Sequence, residues 1–310
     1  MATKKPATKR TSAKSSPKKT STVTTKTATA KTATKSVKKQ KKTPILFACK
    51  HEKEDIVSIF ENSKIVAAIL AEIFGTAMLT MIILFAMILT RGILPWYVWI
   101  CILPIPMVFL AFSGSHFNPA ISVAMMASRR ISVIRGVIYI IAQFIGAWIA
   151  FLAVNAFRLS KADTMIDMPS IKLATGSLVG VAIAIELIGT MIAGFFYTRA
   201  LAFKRSSLTF AMIVTAGLMT AYFIALAVAQ ITASAAPTGA SNALIYALNP
   251  AIALTLQAFP VSGINFAQFC QALGTYILVP MLGAVIGVFL ADIMKRCANI
   301  PLAEEAAQEK

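Results

Sequence analysis

The sequence lacks most of what an enzyme or a metal protein is built from. Two histidines in 310 residues exclude a histidine-rich metal site. Four cysteines (Cys49, Cys101, Cys270 and Cys297) are scattered, with no CxxC pair and no metal-ligand spacing. They read as small apolar residues. The apolar part of the chain shows no nucleophile–base pair, metal set or phosphate loop, so no enzyme activity, cofactor or metal is expected. Acids are missing from the first 43 positions, and no Lys or Arg occurs between Arg205 and Lys295. A secretory signal peptide is not visible, because a long polar tail precedes the first apolar run.

What is present is apolar. Hydrophobic residues make up 57% of the chain, and several uncharged runs exceed the roughly 20 residues that cross a bilayer core. The class is a multi-span membrane protein. The net charge of +18 belongs mainly to one end. Residues 1–43 hold 14 of the 30 Lys/Arg and no acid, and the other 16 face all 12 acids, leaving +4.

Residues 1–43 offer almost nothing to bury and read as a disordered tail. Residues 44–63 are a linker or a short helix at the membrane surface, with Ile56, Val57, Ile59 and Phe60 as its apolar face. Six spans are expected at about 65–90, 94–112, 134–157, 176–198, 207–231 and 265–291, and residues 295–310 form a C-terminal tail. Basic residues orient the chain. The tail, Arg129, Arg130, Arg135, Arg199, Lys204, Arg205, Lys295 and Arg296 fall on one side. Arg91, Arg158, Lys161 and Lys172 fall on the other. The richer side is expected to be cytoplasmic, with both termini inside a cell membrane.

The two halves repeat. "AEIFGTAML" (71–79) and "IELIGTMIA" (185–193) share Glu-x-x-Gly-Thr, and "HFNPAIS" (116–122) and "ALNPAIA" (247–253) share Asn-Pro-Ala-Ile. Three spans per unit is odd, so the second unit, about 176–294, enters from the opposite face to the first, about 64–157. Inverted repeats of this kind place the functional site at the bilayer midplane. Within each "NPA", proline suits the first helical position and asparagine the N-cap. From Asn118 to Arg129, and from Asn249 to Pro260, is about 11 residues, or roughly 16 Å. That is half of the ~30 Å hydrocarbon core. The expected architecture is all-α, with six transmembrane helices and two half-helices.

These motifs, with "AQFIGA" (142–147) and "PMLGAVIG" (280–287), resemble the aquaporins, the major intrinsic protein family, over about residues 64–294. The resemblance implies a channel for water or small neutral solutes and a homotetramer. Asn118, Pro119, Ala120, Asn249, Pro250 and Ala251 would then form the pore centre. Two helix N-termini meeting there would repel cations, and both Asn amides would donate to a passing oxygen. Glu72 and Glu186, costly in a span unless they have a role, would accept from the backbone of the NPA loops; a proton relay is the other reading. His116 would line the inner vestibule or pack.

One position departs from the family pattern. Where the family usually has Arg after the second NPA, this chain has Ile252. The filter implied by the family's spacing is Val98, Tyr246, Ile252 and an unassigned fifth-span residue. Such an apolar ring would widen the pore to larger neutral solutes, as in a glycerol or urea facilitator, or throttle water by dewetting. Ala253, where glycerol channels commonly have Asp, weighs against a pure glycerol channel. A secondary transporter and a non-conducting anchor for the tail are the other readings. The tail itself suits anionic lipid headgroups, a solvated spacer or orientation signal, or nucleic acid.

Overall fold

The computed structural model describes residues 63–90, 96–159, 168–171, 173–234, 246–259 and 265–298. The basic tail, the surface helix expected near 54–63, most of the 232–248 connection and the C-terminal residues from 299 lie outside the described residues.

Every described element is helical. In chain order they are α1 (Ser63–Thr90), α2 (Trp96–Ile102), α3 (Pro104–Ser113), α4 (Pro119–Ala127), α5 (Val133–Leu159), α6 (Leu178–Ala200), α7 (Ser207–Ser234), α8 (Pro250–Thr255), α9 (Phe266–Leu273) and α10 (Val279–Cys297). Five helices are long and apolar enough to cross a membrane. α1, at 28 residues, extends about 42 Å, well beyond a hydrocarbon core of ~30 Å.

Proline shapes the two interrupted spans. α2 and α3 form one span kinked at Leu103, rather than the unbroken helix expected over 94–112. Pro104 and Pro106 have no N–H, so the carbonyls of Ile100 and Ile102 lose their intrahelical donors. In the last span, a π-helical turn (Gly274–Leu278) joins α9 to α10 just before Pro280. α10 continues to Cys297, beyond the expected end of the span near 291.

α4 and α8 are the half-helices, and their lengths differ. α4 has nine residues and α8 has six, so the equal lengths expected from the sequence are not found. Both end in the same Schellman motif. Arg130 N–H donates to Met125 C=O and Ala258 N–H to Ala253 C=O. Arg129 and Gln257 both take φ +56°. α8 ends at the left-handed Gln257, and the Leu256 carbonyl, one of the acceptors this end leaves open, takes a hydrogen bond from Ile171 N–H at 2.6 Å.

The halves interlock. α4 packs on α10 as well as on α5, and α8 packs on α5, so each half-helix lies against the closing span of the other half. Close crossings fall at glycines. A Cβ on Gly146 would lie 2.2 Å from the Ile73 carbonyl oxygen, and one on Gly283 would lie 2.4 Å from that of Leu187. Ile73 and Leu187 each follow the repeated glutamate, so the two crossings are equivalent.

Candidate pore

The centre is built from two short loops with the same construction. Asn118 and Asn249 both have extended backbone and cap their half-helices. Asn118 Oδ1 accepts from Ala120 N–H at 2.9 Å, and Asn249 Oδ1 from Ala251 N–H at 3.0 Å. The residue before each asparagine is left-handed without being glycine: Phe117 at φ +50° and Leu248 at φ +57°. Such a conformation costs about 1–3 kcal/mol and persists only when the surroundings hold it.

Three contacts hold it on each side. The carboxyl of Glu72 accepts from His116 N–H (3.0 Å) and Phe117 N–H (2.9 Å). That of Glu186 accepts from Ala247 N–H and Leu248 N–H. Both glutamates are fully buried, so these bonds form away from water, where leaving either partner unpaired is expensive. The second contact crosses between the loops. Asn118 Nδ2 donates to Leu248 C=O at 3.0 Å, and Asn249 Nδ2 to Phe117 C=O at 2.9 Å. The third is space. A Cβ on Gly75 would lie 2.1 Å from the Phe117 ring, and one on Gly189 would lie 2.5 Å from the Leu248 side chain. The repeated Glu-x-x-Gly-Thr thus supplies an acceptor and, one helical turn later, a gap for the residue before asparagine.

The halves also differ. In the first, Gln143 Nε2 donates to Glu72 Oε2 (2.7 Å) and to Ser122 Oγ (2.9 Å), and Ser122 Oγ lies 3.1 Å from His116 Nδ1. Gln143 Nε2 only donates, so Ser122 Oγ accepts there; the hydroxyl keeps its proton and a second lone pair, so it pairs with either tautomer of His116 at Nδ1. The ring is 7% exposed and lies edge-on to Tyr139 and Tyr197. Gln143 was not singled out in the sequence. The quoted "AQFIGA" contained it, but its partner lies 71 residues away.

A narrow cavity of about 50 Å³ passes these groups. At roughly 10–15 Å³ for the least space that holds a water, it accommodates a few. Its walls are mostly apolar, with Ile83, Ile102, Ile105, Leu218 and Ile252 prominent. Several polar groups in the wall are already occupied as donors. Tyr197 OH donates to Gly114 C=O, Tyr222 OH to Ala247 C=O, and Thr215 Oγ1 to Ala211 C=O. Two side-chain donors in the wall are left for a permeant, the second amide N–H of Asn118 and that of Asn249, and the His116 ring lies in the same wall. His116 both packs and lines the cavity, so the two alternatives raised by the sequence coexist.

The expected filter is only partly brought together. Ile252 is fully buried among protein groups and lines the cavity. Val98 and Tyr246 are also buried but do not line it. Val98 lies one turn before Ile102 on the same face of this span, and Ile102 and Ile105 line the cavity itself. Tyr246 packs against Tyr222, with ring centroids 6.2 Å apart. Tyr222, from the fifth span, lines the cavity instead. Val214, Thr215 and Leu218 of the same span line it as well.

The fold and its cavity define the class of integral membrane channels. The family model described as Major intrinsic protein matches residues 59–294. The chain belongs to the major intrinsic protein family, whose members are passive channels and not enzymes. Among similar proteins, the glycerol uptake facilitator protein-like 6 of Lactiplantibacillus plantarum is 30% identical over 191 residues, 60% of this chain and 77% of that protein. Aquaporin-1 of Ovis aries is 37% identical over 79 residues, and the match spans 26% of this chain and 28% of the sheep protein. In three dimensions the chain is similar to the aquaglyceroporin from Plasmodium falciparum. The TM-score is 0.50 at 17% identity, covering 77% of this chain and 98% of that one.

Proposed function

We propose that the pore conducts water and small neutral solutes of the glycerol and urea type, passively and without a fixed cation at its filter. The observation that carries this reading is Ile252. It follows the second NPA and lines the cavity, so the wall there is aliphatic and uncharged. Apolar walls accept the carbon face of a small polyol. Asn118 and Asn249 donate to its oxygens, and the His116 ring offers a further polar contact. The N-termini of α4 and α8 add positive partial charge at the same level, which disfavours cations. The likeness to a glycerol uptake facilitator supports a solute path beside the water path. Glu72 and Glu186 serve as loop supports: their oxygens are engaged by backbone donors, which suits scaffolding better than proton relay. The assembly we infer is a homotetramer in a cell membrane, both termini cytoplasmic, with residues 1–43 on anionic headgroups.

Ile252→Arg tests the filter. Arginine there places a bulky fixed charge across the wall. Proteoliposomes of this variant are expected to lose glycerol and urea flux while keeping water flux. Unchanged solute flux would remove Ile252 from the filter.

A further inference from the structure

A second concave site lies on the outer surface, away from the pore. It is a furrow between α6 and α10, lined by Met191, Ile192, Phe195, Phe196, Leu290 and Met294, with a volume of about 240 Å³. Its lining is wholly apolar. The two helices run parallel here: Gly283 abuts Leu187 and Thr190, and Gly287 abuts Met191 and Phe195. Both therefore reach the same membrane face, and both end in basic residues, Arg199 on α6 and Lys295 and Arg296 on α10. Arg199 is one turn beyond Phe195, and Lys295 adjoins Met294, so the furrow runs into a basic end. No ion pair is found for Arg199 or Lys295 among the described residues. The neighbouring acid, Asp292, is taken by Arg130 at 2.6 Å.

An apolar furrow inside a bilayer has no hydrophobic preference for one occupant, because lipid tails are apolar everywhere. Selection must come from the charged end. Two half-exposed cations at the ends of the helices, with no ion pair among the described residues, select a phosphate that carries net negative charge. We propose that this furrow binds one acyl chain of an anionic phospholipid, with its headgroup phosphate held by Arg199 and Lys295. The site is distinct from the basic tail and needs no contribution from it.

The test places a reporter in the furrow of the full-length protein. Leu290→Trp is reconstituted in phosphatidylcholine vesicles containing a small fraction of brominated phosphatidylglycerol or brominated phosphatidylcholine. Quenching of the native tryptophans is subtracted with wild type. The expected result is quenching by the anionic lipid at roughly 30-fold lower mole fraction, the effect of two basic groups at a membrane surface. Adding Arg199→Gln and Lys295→Gln should bring the two lipids together, whereas Lys204→Gln with Arg205→Gln should leave the difference. Equal quenching by both lipids overturns the proposal, as does a preference that survives Arg199→Gln and Lys295→Gln. Absence of quenching by either lipid also overturns it, because the furrow is then covered by protein, as by a second copy of the chain.

Discussion

Replacing Gly75 with alanine should damage the pore centre by displacing the Phe117 ring, which lines the cavity, without altering any of its hydrogen-bond donors. The new methyl would lie 2.1 Å from Phe117 Cε1, 2.5 Å from Cζ and 2.6 Å from Cδ1. Ordinary contact begins at 3.4 Å, so the ring must retreat by more than 1 Å. It has little freedom to do so. It is 4% exposed, lies edge-on to Phe109, and its backbone is pinned by Glu72 and Asn249. Overpacking of this kind costs about 1–3 kcal/mol. Alanine also gains up to ~1 kcal/mol of helix propensity over glycine, which would mask part of the loss. Gly180→Ala serves as the control, because nothing lies within 4 Å of its added methyl. Both variants gain a similar propensity, so the difference between them isolates the overpacking. Thermal unfolding in detergent should place Gly75→Ala about 1–3 kcal/mol below Gly180→Ala. Stopped-flow water flux should fall in the first and stay at wild-type rates in the second. Equal stability and equal flux in the two variants would refute the role given to the gap.

The remaining predictions follow from the same geometry. Glu72→Gln should destabilise more than Glu186→Gln, by about 1–3 kcal/mol for a buried donor left unpaired. Three donors converge on Glu72, whereas both backbone N–H groups at Glu186 can share one oxygen; unfolding midpoints in detergent compare them. Tyr222→Phe should cost roughly 1 kcal/mol and free the Ala247 carbonyl to accept from a permeant, which raises glycerol flux in proteoliposomes.

The sequence made the repeat legible because each half carries the same two motifs at the same places. That was enough to expect six spans, two half-helices and a site between them. The purpose of the shared glycine was not legible. It depends on the left-handed backbone of Phe117 and Leu248, which no local pattern announces. Of the filter residues implied by the family's spacing, Ile252 lines the cavity, whereas Val98 lies one turn before the lining residue Ile102, and Tyr246 packs on the lining residue Tyr222. Equal half-helix lengths were assumed from the shared motif. Pro260 sets only an outer limit, since a helix reaching residue 259 is compatible with it, and the left-handed Gln257 that ends α8 has no local signature. Gln143 lies on α5, far in sequence from Glu72, so only folding brings the pair together.

The most direct test is solute flux through the wild-type protein. Proteoliposomes are mixed with a glycerol gradient in a stopped-flow light-scattering instrument, with and without an imposed proton gradient. The expected trace is rapid shrinkage as water leaves, then re-swelling faster than in empty liposomes as glycerol enters, with both rates indifferent to the proton gradient. Rates equal to those of empty liposomes, or glycerol entry only when the proton gradient is present, would contradict a passive pore through the asparagine-capped half-helices.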